Sequence, residues 1–475
     1  MSLRKPLLKK ANIGLSPNPD AARRLIVELT EWGHVGPAER ADLKGISLRE
    51  DVRAQRVADA LRRRVDVREG YHGLEIIATS FVGRVDVGPV HIIVRPKLPA
   101  APLTRLLRYA YTLRDVSLLD ESHAALVHYG FHDLLIAMLA DEVEELVFAG
   151  LARRYVPVTE SLQSPRGRIL VDQIIGRGGV QDSRLPCLYF ERSVNWHLNQ
   201  VLRAGLDVAA GITDDNELRR RVHRLADMFG DVGRAVRLDI RQIEKAEGEL
   251  TRVTEMSRPA LTIIKLLHDL QGIGIEATGD PARTPGLLFD MNLFFERLLS
   301  RFLRENLKGA RVLDQQFLSA VFAYSPEANP QHRAAPTPKP DYTVVGAGRS
   351  SFLDAKYRDI WEGNLPAEWL YQLSIYGLAS PARVSILLYA TMAVDARDQL
   401  IEVRQPWSHE AVASVIVRPV SLPRLAELLG PRHSSAASIA RQRWADDLVA
   451  LSVLPAKVGT EGSRTGVVRT PMSTD

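Results

Sequence analysis

Between Asp341 and Ala390 the hydrophobic period runs from two to 3.6 and back to two, and this order constrains the fold more than any other stretch of the chain. "DYTVV" and "SFLDAKY" read as an antiparallel strand pair joined by "GAGRS". "PAEWLYQLSIYGLAS" reads as a helix with proline at its start, "RVSILLYA" as a buried strand and "QLIEVRQPW" as a further one. Ahead of them, "GLLFDMNLFFERLLSRFLRENL" reads as one long amphipathic helix, with Phe289, Leu293, Phe294, Leu298 and Phe302 broadly on one side. Helix, strand, strand, helix, strand in that order predicts an α/β sandwich.

A chain of 475 residues is long for one core, so several domains are expected. "DAARRLIVELTEWGHV" has helical spacing after a loose first twenty residues. "LEIIATSFVGRVDVGPVHIIVRPKLP" is short-period, β-branched and punctuated by glycine, and so reads as strands. Residues 1–100 are therefore expected to hold an arm and a β-rich module. Residues 101–284 read as a mostly helical connector, from "PLTRLLRYAYTL" and "FHDLLIAMLADEVEELVFAG" through a block opening at "FERSVNWHLNQVLRAGLDVAAG". Residues 285–431 hold the α/β domain. Residues 432–475 form an extension with one helix and a disordered tail.

Composition narrows the functional classes. Cys187 is the single cysteine, which rules out an intrachain disulfide or a cysteine-built zinc site within this sequence. The basic start "MSLRKPLLKK" leads into "ANIGLSPNPD" instead of an apolar core, and no apolar run is long enough to span a membrane. A soluble protein of a reducing compartment, the cytoplasm, is expected, without a membrane partner. The net charge of +5 permits an anionic partner without requiring one. There is no G-x-x-x-x-G-K-S/T element, so nucleotide energy would have to come from another chain.

The candidate chemistry lies in the strand pair. Asp354 and Lys356 are two apart, so on a strand they share a face. Asp341 opens the adjoining strand, and a tight hairpin would bring its carboxylate beside Asp354. Two neighbouring carboxylates repel, and a divalent cation such as magnesium, which takes few carboxylates and keeps its waters, relieves that repulsion. Lys356 could orient an attacking water, help to deprotonate it, or steady the transition state; a surface hairpin with routine charges is the alternative. Glu296, near the apolar stripe of the long helix, is either a boundary charge or a further carboxylate aimed at the ion. Gln372 and Tyr376 are four apart and share a helix face, as a polar pair beside core leucines or as groups holding a phosphate or water. His128 and His132 share the same spacing but have no convincing third ligand.

These residues carry a resemblance. Pro340-Asp341, Asp354-Ala355-Lys356 and the helical Gln372 and Tyr376, with Glu296 on the preceding helix, are similar to the motifs of the PD-(D/E)xK nuclease superfamily and its RecB-like branch. "LLFDMNLFFERLL", "KPDYTVV", "FLDAKY" and "YQLSIYG", with "FVGRVDVGPVHIIVRPKLP" and "RGRILV" earlier, resemble the McrC family of McrBC-type modification-dependent restriction systems. That resemblance implies a restriction-endonuclease-like C-terminal domain and an antiviral defence role in a prokaryotic cytoplasm. It implies Asp341 and Asp354 as ligands of Mg²⁺ (or Mn²⁺) assisted by Glu296, with Lys356 serving the attacking water and Gln372 and Tyr376 completing the site. It also implies a McrB-like AAA+ hexameric motor hydrolysing GTP or ATP, engaged by the β-rich N-terminal module. The substrate would be double-stranded, methylated DNA, with two chains meeting to cut both strands. Two rivals stand beside this: a non-cutting regulatory or structural subunit that stimulates the motor, and a stand-alone RecB-like nuclease.

Overall fold

The computed structural model describes residues 25–113, 130–180, 182–233, 238–278, 286–346, 349–430 and 434–453, excluding the side chains of residues 271–278 and Arg349. The N-terminal arm, His123, His128, the centre of the Gly-rich turn and the last 22 residues lie outside these. Among the described residues the protein is mixed α/β, with sixteen strands and twelve α-helices in two compact units. One unit comprises residues 1–97 and 121–290; the other comprises 98–120 and 291–475.

In the first unit, β1 (Leu25–Thr30) and β2 (His34–Val35) precede helix α1 (Val52–Leu61). Strands β3 (Val65–Gly70), β4 (Gly73–Ala78), β5 (Phe81–Val87) and β6 (Val90–Arg95) follow. The stretch expected to be helical from Asp20 instead supplies β1, which pairs in parallel with β6. "LIVELT" alternates and buries Val27 beside Ile92, and this packing outweighs the helical spacing around it. A core gathers Val27, Leu61, Leu74, Ile76, Val85, Ile92 and Leu288.

Helix α2 (Ala100–Ala110) belongs to the other unit. Returning to the first, α3 (Phe131–Ala149) leads into a three-stranded sheet of β7 (Arg154–Leu162), β8 (Arg168–Ile169) and β9 (Leu185–Ser193), with short α4 (Val171–Gly176) between. "FERS", expected to open a helix, is thus the end of β9, paired with β7; the helix α5 (His197–Ile212) starts after Trp196. Helices α6 (Asn216–Asp227), α7 (Ile240–Gly248) and α8 (Arg258–Thr278) complete the helical block.

The unit closes with β10 (Gly286–Asp290), which corrects a third expectation. "GLLFD" is a strand, antiparallel to β5, so the long helix begins only at Met291. Phe289 therefore packs from the sheet, and Leu293 is largely exposed instead of lying in the helix's apolar stripe. The pairing is close: a Cβ on Gly83 would stand 2.0 Å from the Leu287 carbonyl, and Gly83 has φ +131°. Only glycine sits there without strain.

The second unit carries the predicted layers. A six-stranded sheet has the order β11 (Ala310–Asp314), β12 (Tyr342–Gly346), β13 (Arg349–Lys356), β14 (Val384–Thr391), β16 (Ala411–Ser421) and β15 (Gln399–Arg404). β12 and β13 are antiparallel; β13, β14 and β16 run parallel. Helix α9 (Met291–Asn306) packs on β11 and β13, and α10 (Ala367–Ala379) packs on β14 and β16. The two cover opposite faces, since Leu373 and Tyr376 of α10 join a core with Phe352, while Tyr342, paired with Leu353, reaches α9. Helices α2, α11 (Leu422–Leu428) and α12 (Ser435–Val449) finish the unit, α12 packing on α9.

Candidate active site

Register brings the two aspartates together. Tyr342 pairs with Leu353 in the β12–β13 ladder, so Asp341, one step beyond, faces Asp354. Asp341 Oδ2 accepts a hydrogen bond from the Ala355 amide at 2.8 Å, which fixes that carboxylate against the strand. Asp354 is 1% exposed, an unusual burial for a carboxylate and one that demands a partner. Lys356, on the same face, supplies it: Nζ lies 2.5 Å from Asp354 Oδ2 and 3.9 Å from Asp341 Oδ2.

Helix α10 adds the next layer. Gln372 Nε2 lies within hydrogen-bonding distance of Asp354 Oδ1, at 3.3 Å, and of the Tyr376 hydroxyl, at 2.8 Å. The i, i+4 spacing noted in the sequence is what lets one amide bridge both. Tyr376 is buried, and that burial raises its phenol pKa. On the other side, Tyr342 donates to the Glu296 carbonyl at 2.6 Å, tying the sheet to the α9 turn that carries Glu296. Glu296 is half-buried, and its charge reaches Asp341. The structure thus brings Asp341, Asp354, Lys356, Gln372 and Tyr376 into one linked group, with Glu296 at its border.

Electrostatics show what this group lacks. Burial, then the Asp354 charge, raise the Asp341 carboxyl to about 7; Glu296 adds to the rise, and the Lys356 ammonium only partly offsets it. Burial works against the charged form of Lys356, but Asp354 and Asp341 outweigh it and raise its pKa, so it holds its proton at neutral pH. The site therefore carries more negative charge than its one ammonium balances. Among the described residues no group of three His, Cys, Asp or Glu side chains is placed to hold a metal by itself. Two adjacent carboxylates nevertheless suit a magnesium ion, which keeps several of its waters.

Three contacts were not evident from sequence. The Trp369 ring lies 6.0 Å from Lys356 Nζ. Tyr342 is the residue directly after Asp341. Asn292, in the first turn of α9, accepts from the Tyr357 amide at 3.2 Å, just past the Asp-x-Lys strand.

His132 and the arginines of the β5–β6 hairpin and of helix α6 fall elsewhere. His132 is buried with neither ring nitrogen hydrogen-bonded, and burial lowers its pKa to about 3. Arg84 donates to the Ile212 carbonyl and pairs with Asp214, and Arg95 pairs with Glu28. On the basic helix α6, Arg221 is taken up by Asp141 and Glu144, and Arg219 by the carbonyls of Ala210 and Thr213. Much of that charge is spent inside the fold.

Solved structures show a like fold. A chain in the half-complex refined from a tetradecameric assembly of Thermococcus gammatolerans McrB AAA+ hexamers with bound McrC aligns over 89% of this chain and all of its own length. Identity is 20% and the TM-score 0.59. A chain of the Thermococcus gammatolerans McrBC complex aligns over 59% of this chain and 88% of its own, at 21% identity and a TM-score of 0.42. No curated protein matches significantly. The model of the McrBC 5-methylcytosine restriction system component family matches residues 76–390, a span that takes in the β5–β6 hairpin, the helical block and every residue of the Asp341–Asp354 group. The chain belongs to that family.

Proposed function

We propose that this chain is the DNA-cutting subunit of such a restriction system, a PD-(D/E)xK-type metal-dependent endonuclease that works with an AAA+ partner. The observation that carries this reading is the meeting of Asp341 and Asp354 beside Lys356, with Asp341 raised to about 7 by burial and like charge. Asp341 and Asp354 would hold Mg²⁺, or Mn²⁺ in its place, with Glu296 assisting. When bound, the ion supplies positive charge that polarises a phosphoryl oxygen and lowers the pKa of a water.

The protein's own groups have distinct tasks in this reading. Lys356 keeps its proton, so its ammonium is suited to steadying charge that accumulates on the phosphate, more than to removing a proton from water. Gln372 sits between Asp354 and the Tyr376 hydroxyl and so holds Asp354 in position. Tyr342 anchors the turn of α9 that presents Glu296. Water attacks the phosphodiester directly and the backbone breaks without a covalent link to the protein.

The partner reading rests on family membership and on the fold shared with a chain from an assembly of McrB AAA+ hexamers with bound McrC. The substrate reading, double-stranded DNA carrying modified cytosine, rests on the family. Two chains would be needed to cut both strands, because each has one set of ligands.

The test is cleavage of long, variously methylated DNA with Mg²⁺, by wild type, Asp354→Ala and Lys356→Ala, each with and without the AAA+ protein. The expected result is cutting that needs the motor and its nucleotide and falls at least about a hundredfold in both variants. Equal cutting without the motor would make the chain a stand-alone nuclease. No cutting, with motor hydrolysis stimulated, would make it a regulatory subunit.

A further inference from the structure

A long exposed segment leads directly into Asp341. Residues 315–341, between β11 and β12, hold only one 3₁₀ turn, Pro326–Ala328. Loops above about 12–15 residues without secondary structure are uncommon in compact domains and are usually functional. This one has a closed neck: the Gln315 amide donates to the Asp341 carbonyl at 2.9 Å, and the Leu318 amide to the Pro338 carbonyl at 2.8 Å. Leu318 packs into the cluster that contains Trp361, Leu365 and Trp369, beneath the helix of Gln372.

The loop presents aromatic rings to solvent. Phe317 is 62% exposed, and Phe322 and Tyr324 are more than two-fifths exposed. Tyr371, beside Gln372 on α10, is also exposed. The cations on the loop are Arg333 and Lys339 against one acid, Glu327, before Asp341. Lys339 is held by Gln315 Oε1 at 2.8 Å and lies 5.2 Å from the centre of the Phe317 ring. Open aromatic faces with cations on the same segment are a pattern by which proteins hold unpaired nucleic acid, the rings stacking on bases and the cations meeting phosphates. An apolar core would have buried these rings; a purely phosphate-binding loop would not need them.

We propose that Phe317, Phe322 and Tyr324 form a base-stacking platform, so that this site takes a DNA strand whose bases beside the scissile phosphate are unpaired. The inference rests on the nuclease reading and adds the substrate's local form to it. Duplex entering the site would have to be opened or distorted next to Asp341. The rings would hold the displaced bases and Lys339 the adjoining phosphate.

The experiment is fluorescence anisotropy on full-length protein in metal-free buffer, comparing a single-stranded oligonucleotide with a fully abasic strand of equal length. Wild type should bind the base-bearing strand at least about tenfold more tightly, since each stacked base contributes on the order of 1–3 kcal/mol and tenfold corresponds to about 1.4 kcal/mol. Phe317→Ala/Phe322→Ala/Tyr324→Ala should bind both strands alike, at the abasic level. A triple tryptophan variant should keep the preference, which separates stacking from loop damage. No discrimination by wild type, or undiminished discrimination by the alanine variant, overturns the proposal. So does an alanine variant that changes only self-association in light scattering, or only the response of the AAA+ partner; the rings would then be a protein interface. Cutting of long methylated duplex DNA with Mg²⁺, the AAA+ protein and its nucleotide, by wild type and Asp354→Ala, runs in parallel. Cutting without base discrimination removes the platform alone. Discrimination without cutting supports the platform and removes the nuclease reading.

Discussion

At Asp341, burial and the Asp354 charge both oppose ionisation, and an ammonium 3.9 Å away does not cancel them. The folded-state pKa of about 7 lies above the ordinary value of 3.8, so the folded protein binds the extra proton. The sign follows: Asp341 is best accommodated below about pH 4, and stability is lost as pH rises through about 7. Asp341→Asn should therefore stabilise the metal-free protein at pH 8, by about 1–3 kcal/mol, with the difference shrinking toward pH 4. Thermal unfolding across that range, with chelator present, checks it. Tyr376→Phe removes the hydroxyl beside Gln372 Nε2 and should cost about 1 kcal/mol. Cleavage in that variant should fall through the loosened Gln372, to a smaller extent than in Asp354→Ala. At this scale much was legible. Strand parity placed Asp354 with Lys356, a hairpin placed Asp341 with both, and helical spacing placed Gln372 with Tyr376. Trp369 was not legible, because its approach to Lys356 depends on how α10 lies across the sheet.

Among the elements, those that met one partner at short range followed their periodicity. β12 with β13, and α10, stand where alternation and 3.6-residue spacing put them. β1, β10 and the end of β9 did not, because a short apolar run is compatible with helix or strand until its partner is known. Gly286–Asp290 becomes a strand by pairing with β5, some two hundred residues earlier in the chain. Gly83 is the residue that lets this happen. Gly83→Ala would drive a Cβ into the Leu287 carbonyl at φ +131° and should cost at least about 2 kcal/mol. Gly45→Ala is the control, with φ +69° and open space around it, and should cost only about 1 kcal/mol. Urea midpoints of the two variants against wild type measure the contrast.

Over the whole molecule, sequence composition and compactness divide the chain differently. Residues 98–120 join the unit formed by 291–475, a long-range exchange that no local pattern encodes. Residues 434–453 of the extension are also part of that unit. Buried Arg418 pairs with Asp398 at 2.7 Å and donates to the carbonyls of Asp447, Leu448, Ala450 and Ser452, while Trp444 lies edge-on to Phe302 at 5.4 Å. Removing those acceptors leaves a buried guanidinium short of partners, at a cost of several kcal/mol. A chain ending at Arg432 should lose cooperative unfolding of this unit, whereas one ending at Val453 keeps these contacts and should retain it; differential scanning calorimetry distinguishes them.

The central claim is that Asp341 and Asp354 together hold a divalent cation. Isothermal titration of Mg²⁺ into the full chain at pH 6 and pH 8 tests it most directly. The account predicts binding that tightens from pH 6 to pH 8 and releases a proton at the lower pH, because Asp341 must ionise to serve as a ligand. It also predicts loss of that binding in Asp341→Asn and in Asp354→Asn. Binding that is indifferent to pH and survives both substitutions, or no binding at all, would contradict it.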